Sequence, residues 1–203
     1  MIKIEAMEMT ASGKKLKAVL SDGRKVYLDS ETAYKYRVDT STEYTDGEFE
    51  EILCDSEYNL TKNRAFNILE YRAHSKKELF DKLCEKTDED TAFAVVEKMC
   101  DLGLVDDKAL LRDKLENLLN VKKYGTKRVI NDLALKGFDR EEIEEAIEEM
   151  EYDEYSAVCE IIEHRYADEL PESDIKERQK ILAALMRRGF SYDNVKSAMA
   201  EYL

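Results

Sequence analysis

Few residues in this 203-residue chain could do chemistry, and their spacing is poor for it. Its two histidines are His74 and His164. Glu160 and His164 stand one helical turn apart and could touch a metal ion, but a site needs at least one further ligand and none stands nearby. A solvated helix face is the expectation there. The four cysteines, Cys54, Cys84, Cys100 and Cys159, lie 30, 16 and 59 positions apart, so no pair has the two-residue gap of a zinc knuckle or redox dithiol. They are expected to be reduced and to act as small core hydrophobes. No G-x-x-x-x-G-K, G-x-G-x-x-G or H-E-x-x-H motif occurs, and no nucleophile elbow. Carboxylates are densest over Asp139–Glu151, on the face opposite Ile143, Ala146, Ile147 and Met150, where solvation explains them. The expectation is a protein that is not an enzyme and has no cofactor.

Binding chemistry is better represented. The chain carries 32 Lys and Arg against 46 Asp and Glu, a net charge of −14, which argues against holding DNA or anionic lipid by bulk charge. Within it, residues 122–140 form a basic island of net +4 that includes Lys122, Lys123, Lys127 and Arg128, with Tyr124 between the pairs. Arg72, Lys76 and Lys77 make a second, smaller group, and Arg187 and Arg188 a third. These cations could meet an acidic protein surface or a DNA phosphate; equally, they could only balance nearby carboxylates and helix ends. Tyr152, Tyr155 and Tyr166 could anchor an interface, but half-buried packing between structural units is the more common use. The apolar runs are far shorter than the ~18 residues that span a bilayer, and the first six residues place a charge at alternate positions, unlike a signal peptide. A cytoplasmic protein without membrane contact is expected.

The elements that must position these groups change character along the chain. Ile2, Ile4 and Ala6 alternate with charged residues, as do Leu16, Ala18 and Leu20, and Val26 and Leu28 follow across Ser21-Asp22-Gly23-Arg24. With a second turn at Ser12-Gly13, this predicts about three antiparallel strands, a sheet too small to stand without helices packed on it. Residues 39–57 hold eight carboxylates and no Lys or Arg, and Phe49, Ile52 and Leu53 within them predict a short helix. From Leu60 the hydrophobic period becomes about 3.6.

An internal repeat then appears. Ala92, Val95, Val96 and Met99, then Ile143, Ala146, Ile147 and Met150, then Val195, Ala198, Met199 and Tyr202 each trace one buried helical stripe. Leu133 and Lys136-Gly137-Phe138-Asp139 align with Leu185 and Arg188-Gly189-Phe190-Ser191, 52 positions on. Helices are expected at 60–71, 75–86 and 89–102; at 107–121, 126–136 and 140–150; and at 154–167, 174–188 and 192–203. Ser75-x-x-Glu78 and Asp139-x-x-Glu142 have capping-box spacing. Gly137 and Gly189 fall where a helix ends in a left-handed residue, and every glycine is assigned to a turn, leaving none for a phosphate-cradling loop. The predicted fold is mainly α: three tandem three-helix repeats (58–105, 106–152, 153–203), elongated, behind a small antiparallel β extension (1–57).

Ser75-x-x-Glu78-Leu79-x-x-Lys82-Leu83, then Leu102-Gly103-Leu104-Val105-Asp106-Asp107, then Gly125-x-x-x-Val129-Ile130 with Leu133 and Lys136-Gly137, together resemble the RecX family of recombinase regulators. The family's G-Y-L-D-D turn has Leu104 and Val105 in place of its tyrosine and leucine, and Lys86-Thr87 replaces the usual Lys-Gly of the first repeat. The resemblance covers about 60–203, and Asp46-Gly47-Glu48-Phe49 is similar to the extension of longer family members. It implies a monomer that lies in the groove of a RecA filament on DNA, restrains filament growth, ATPase and strand exchange, and touches DNA only through the filament. Three linked units suit such a role, because linked weak contacts gain by effective concentration. The competing readings are a stand-alone DNA-binding protein, against which the net charge speaks, and an α-helical scaffold for another partner.

Overall fold

The computed structural model describes residues 1–202; Leu203, the end of the last expected helix, lies outside the described residues. The chain forms two compact units, Met1–Val105 and Asp106 onward.

In the first unit β1 (Ile2–Met9), β2 (Lys15–Leu20) and β3 (Lys25–Asp29) form the expected antiparallel meander. A two-residue strand that the sequence did not suggest, β4 (Glu43–Tyr44), pairs with the start of β1, giving the order β3-β2-β1-β4. Ile4 pairs with Leu20 but Ala6 with Val19, so Glu5 is an extra residue in β1. This bulge breaks the simple alternation: Ala6 is exposed, and Met7 packs on the core in its place. Gly23, at φ +82, makes the tight turn between β2 and β3.

A short helix α1 (Ser30–Lys35) follows, and then α2 runs unbroken over Asp46–Tyr71. The expected short helix and the helix at 60–71 are therefore one. The cause is local. Thr45 and Glu48 form a full capping box, Asp46 and Glu48 suit the positive end of the helix, and no Gly or Pro follows Gly47 to stop it. Gly47 thus sits in the first helical turn rather than in a loop.

The two halves of α2 serve different cores. Phe49 and Ile52 close the sheet core with Ile4, Leu20 and Leu28, whereas Ala65 joins Leu79, Leu83, Val95 and Met99 from α3 (Lys76–Cys84) and α4 (Glu89–Asp101). Between them a polar seam ties α2 to the end of β3 and to α1. The Asp29 amide donates to Ser56 Oγ (2.7 Å), and Asn59 Nδ2 donates to Thr32 Oγ1 (2.9 Å).

The second unit repeats the three-helix pattern twice. α5 (Asp107–Leu115) passes into a π-helical turn over Glu116–Val121, followed by α6 (Thr126–Ala134) and α7 (Arg140–Glu149). The wider turn, where a straight α-helix to 121 was expected, keeps Leu119 in line with Leu111 and Leu115 in the core. α8 (Glu154–Arg165), α9 (Ile175–Arg187) and α10 (Tyr192–Ala200) enclose the last core around Val158, Leu185 and Phe190.

The 52-residue repeat has a physical basis. Gly137 and Gly189 turn left-handed (φ +90 and +99) just beyond α6 and α9, and the next amides, of Phe138 and Phe190, bond back to the carbonyls of Leu133 and Leu185. Both phenylalanines are buried by that turn. Asp88, Asp139 and Ser191 cap the third helix of each repeat, and Ser75 caps α3, each contributing about 1 kcal/mol.

Candidate partner-binding surface

The sequence-derived cations fall in both units. In the first, Arg72 pairs with Glu78 (2.9 Å), Lys77 with Asp81 (3.5 Å) and Lys76 with Glu97 (4.0 Å), all on exposed surface. Nearby His74 is buried, its Nδ1 2.8 Å from the Arg72 carbonyl oxygen, and burial lowers its pKa.

The second unit brings Lys122, Lys123, Tyr124, Arg128 and Arg188 together where the second three-helix repeat meets the third. Arg188, at the end of α9, reaches back with Nη2 to the carbonyl oxygens of Lys122 (2.7 Å) and Lys123 (3.1 Å). Those carbonyls are presented by a backbone under strain, for Lys123 has φ +52 without being glycine. Tyr124 is contacted by two guanidiniums, with Arg128 4.0 Å and Arg188 5.4 Å from its ring centre. Arg128 also pairs with Asp132 (3.4 Å), and the Gly125 amide donates to the Arg188 carbonyl (3.0 Å).

In the second unit, four of the predicted binding residues, Lys123, Tyr124, Arg128 and Arg188, are thus engaged inside the molecule. Lys123 Nζ bonds Glu160 (2.8 Å), and this pairing holds the Glu160 carboxyl below its usual pKa. Glu160 is accordingly half of an ion pair rather than half of a metal site with His164, and the described residues contain no cluster able to hold a metal. Lys122, Lys127 and Arg187 are exposed and have no carboxylate partner among the described residues. A further cation that the sequence did not single out, Arg165, lies beside Lys122. His164 and Arg165, from the last turn of α8, line a shallow groove with Lys122, Lys123 and Arg188.

Glu154 was also missed. It opens α8, and its half-buried carboxylate accepts four hydrogen bonds. Oε1 takes the Thr126 amide (3.0 Å) and hydroxyl (2.8 Å); Oε2 takes the Ser191 amide (3.3 Å) and Asn194 Nδ2 (2.8 Å). Burial works hardest on its pKa, upward, but these four donors together outweigh it and hold the group below 4.5.

The tyrosines divide. Tyr152 packs against both repeat cores, its OH 3.5 Å from the Tyr124 carbonyl oxygen, and burial pushes its pKa up to about 12. Tyr155 and Tyr166 pack on the last core alone, and the Tyr155 hydroxyl bonds Glu201. The carboxylates of α7 stand on its exposed face as expected; Glu142, Glu145 and Glu149 line an open cleft opposite Lys108 and Arg112. Of the cysteines, Cys84, Cys100 and Cys159 are partly buried on the cores, but Cys54 is exposed on α2. No helix of the described residues is long and apolar enough to cross a membrane.

Residues 62–99 match the family model described as the first three-helix domain of RecX, and residues 151–199 match that of the third. A curated protein of Clostridioides difficile named regulatory protein RecX is 31% identical over 179 residues, covering 88% of this chain and 84% of the relative. One from Stenotrophomonas maltophilia with the same name is 33% identical over 139 residues, 66% of this chain and 82% of the relative. Among solved structures, RecX from Lactobacillus salivarius superposes with a TM-score of 0.64 at 26% identity, over 72% of this chain and 96% of the other. A second RecX crystal structure reaches 0.67 over 97% of this chain and all of the other; at 19% identity it bears on the fold alone.

Proposed function

This chain belongs to the RecX family of regulatory proteins, and on that premise we propose that it binds the groove of RecA filaments on DNA and restrains filament growth, ATPase and strand exchange. It does so without catalysis, as one copy occupying surface on more than one recombinase protomer. The observation that carries this reading is the joint between the second and third repeats. There Lys122 and Arg165 line one groove, and neither has a carboxylate partner among the described residues of a chain with net charge −14. A rigid surface bearing localised cations suits an acidic face of a protein polymer better than naked DNA, which rewards bulk positive charge. Lys122, Lys127, Arg165 and Arg187 are the contact residues on this reading. Lys123, Tyr124, Arg128 and Arg188 build the surface from behind. Arg72, Lys76 and Lys77 add weaker contacts from the first unit, since each already has a carboxylate neighbour.

Co-sedimentation with RecA filaments on single-stranded DNA tests this. The chain should pellet with filaments, and K122E/K127E/R187E should stay in the supernatant with its helical content intact. Retention of the triple variant in the pellet would remove these contacts. Submicromolar binding to naked DNA at physiological salt would favour a stand-alone DNA-binding role instead, and selective capture of a different purified partner would favour a scaffold.

A further inference from the structure

The amino ends of three helices converge on one side chain. Glu154 is in the first turn of α8. Its carboxylate accepts from the first residue of α6 and from the cap and third residue of α10. α6 has particular need of it. Its N-cap is Gly125, which has no side chain to satisfy the free amides of the first turn. Gly125 cannot be replaced by an ordinary capping residue, because a Cβ there would stand 2.1 Å from the Gly189 carbonyl carbon. The cap is therefore supplied from the next repeat.

We propose that Glu154 is the positioning residue of the proposed surface: by capping α6 of the second repeat and α10 of the third at once, it fixes the orientation of the two repeats and of the cations they carry. Asp153 already caps α8 through the Ser156 amide, so Glu154 is not needed to start its own helix. Ser191 likewise caps α10 through the Asn194 amide. What remains for Glu154 is the link. Glu154 closes one side of the joint, and Arg188 closes another by holding the strained Lys122–Lys123 backbone. Lys122 and Lys127 belong to the second repeat, Arg165 and Arg187 to the third, so their mutual spacing depends on this joint. The carboxylate spans both repeats only at full glutamate length; aspartate, one methylene shorter, keeps the charge but cannot reach both helices.

Residual dipolar couplings on the full chain test this. In the wild type, α5 to α7 and α8 to α10 should share one alignment tensor. E154D and E154Q should need two, with circular dichroism unchanged. T126V/N194A removes side-chain donors from both helices and should split the tensor in the same way, should the Glu154 variants fail to fold. V195A, which destabilises the last core by a cavity alone, should keep one tensor. One tensor in E154D, E154Q and T126V/N194A would overturn the positioning role. The effect on RecA rests on the function proposed above: the half-point for inhibition should rise roughly tenfold or more in E154D and stay put in V195A. A split tensor with unchanged inhibition would uphold the joint and overturn the recombinase reading of this surface.

Discussion

Gly125 and Gly189, on successive repeats, meet backbone to backbone: a Cβ on Gly125 would lie 2.1 to 2.3 Å from three main-chain atoms of Gly189 and Phe190. A Cβ on Gly189 would lie 2.3 Å from Arg128 Cβ and 2.6 Å from the Arg128 nitrogen. Glycine 189 is there for two reasons, its left-handed turn and the closeness of the next repeat. G189A should therefore cost roughly 2–4 kcal/mol, the sum of backbone strain and overpacking. Gly103 shares the positive φ but faces open space, so G103A should cost only about 1–2 kcal/mol. Urea midpoints of the two variants check the difference.

Arg187 and Arg188 are neighbours in sequence with separate roles. R188M leaves two carbonyls and a strained Lys123 without their guanidinium and should lower stability by about 1.5–3 kcal/mol. R187M, at an exposed site, should stay within about 0.5 kcal/mol. Thermal unfolding of each separates the structural cation from the one available to a partner.

This division marks what the sequence could and could not disclose. The repeat, its helices and its Gly-Phe turns were legible because each follows from a local rule: a 3.6-residue stripe, a cap, a left-handed glycine. The sites of Lys122 to Arg128 and Arg188 were legible as charge, but their use was not. Arg188 bonds residues 65 and 66 positions away, and no spacing rule reaches that far. Glu154 was hidden among the chain's many carboxylates for the same reason. In the first unit, alternation alone placed Ala6 with Ile4, and it took the pairing of Ile4 and Ala6 with adjacent residues of β2 to reveal the bulge. The unbroken α2 was missed because a run of acidic residues was read apart from the capping box that starts it.

Acid should loosen the joint. Glu154 has a lower pKa folded than unfolded, so its contribution is complete above its ordinary value of 4.5 and is lost as pH falls through the folded value. Asp153, which caps α8, is shifted in the same direction and adds to the acid sensitivity of the second unit, as Asp88, which caps α4, does for the first. E154Q should be less stable than wild type at pH 7 and should lose less on going from pH 5 to pH 3. Denaturant titrations at those pH values test it; parallel losses in both proteins would refute it.

His74 gives the first unit a separate dependence, closer to neutrality. Burial disfavours its charged form, so its pKa is depressed below 6.5 in the fold. The unfolded chain then takes up a proton that the folded chain does not, and stability falls as pH drops below about 6.5. H74Q should remove that slope between pH 7 and 5.5, read as the change in Tm of the first unit.

Restraint of the filament would be read most plainly in the RecA ATPase on single-stranded DNA, titrated with this protein. Hydrolysis should fall as the protein is added, K122E/K127E/R187E should shift the curve to higher concentration, and R188M, which frees the Lys122–Lys123 backbone, should shift it by more than its loss of folded protein explains. ATPase that stays constant through a large excess of well-folded wild-type chain would rule out the proposed restraint of RecA.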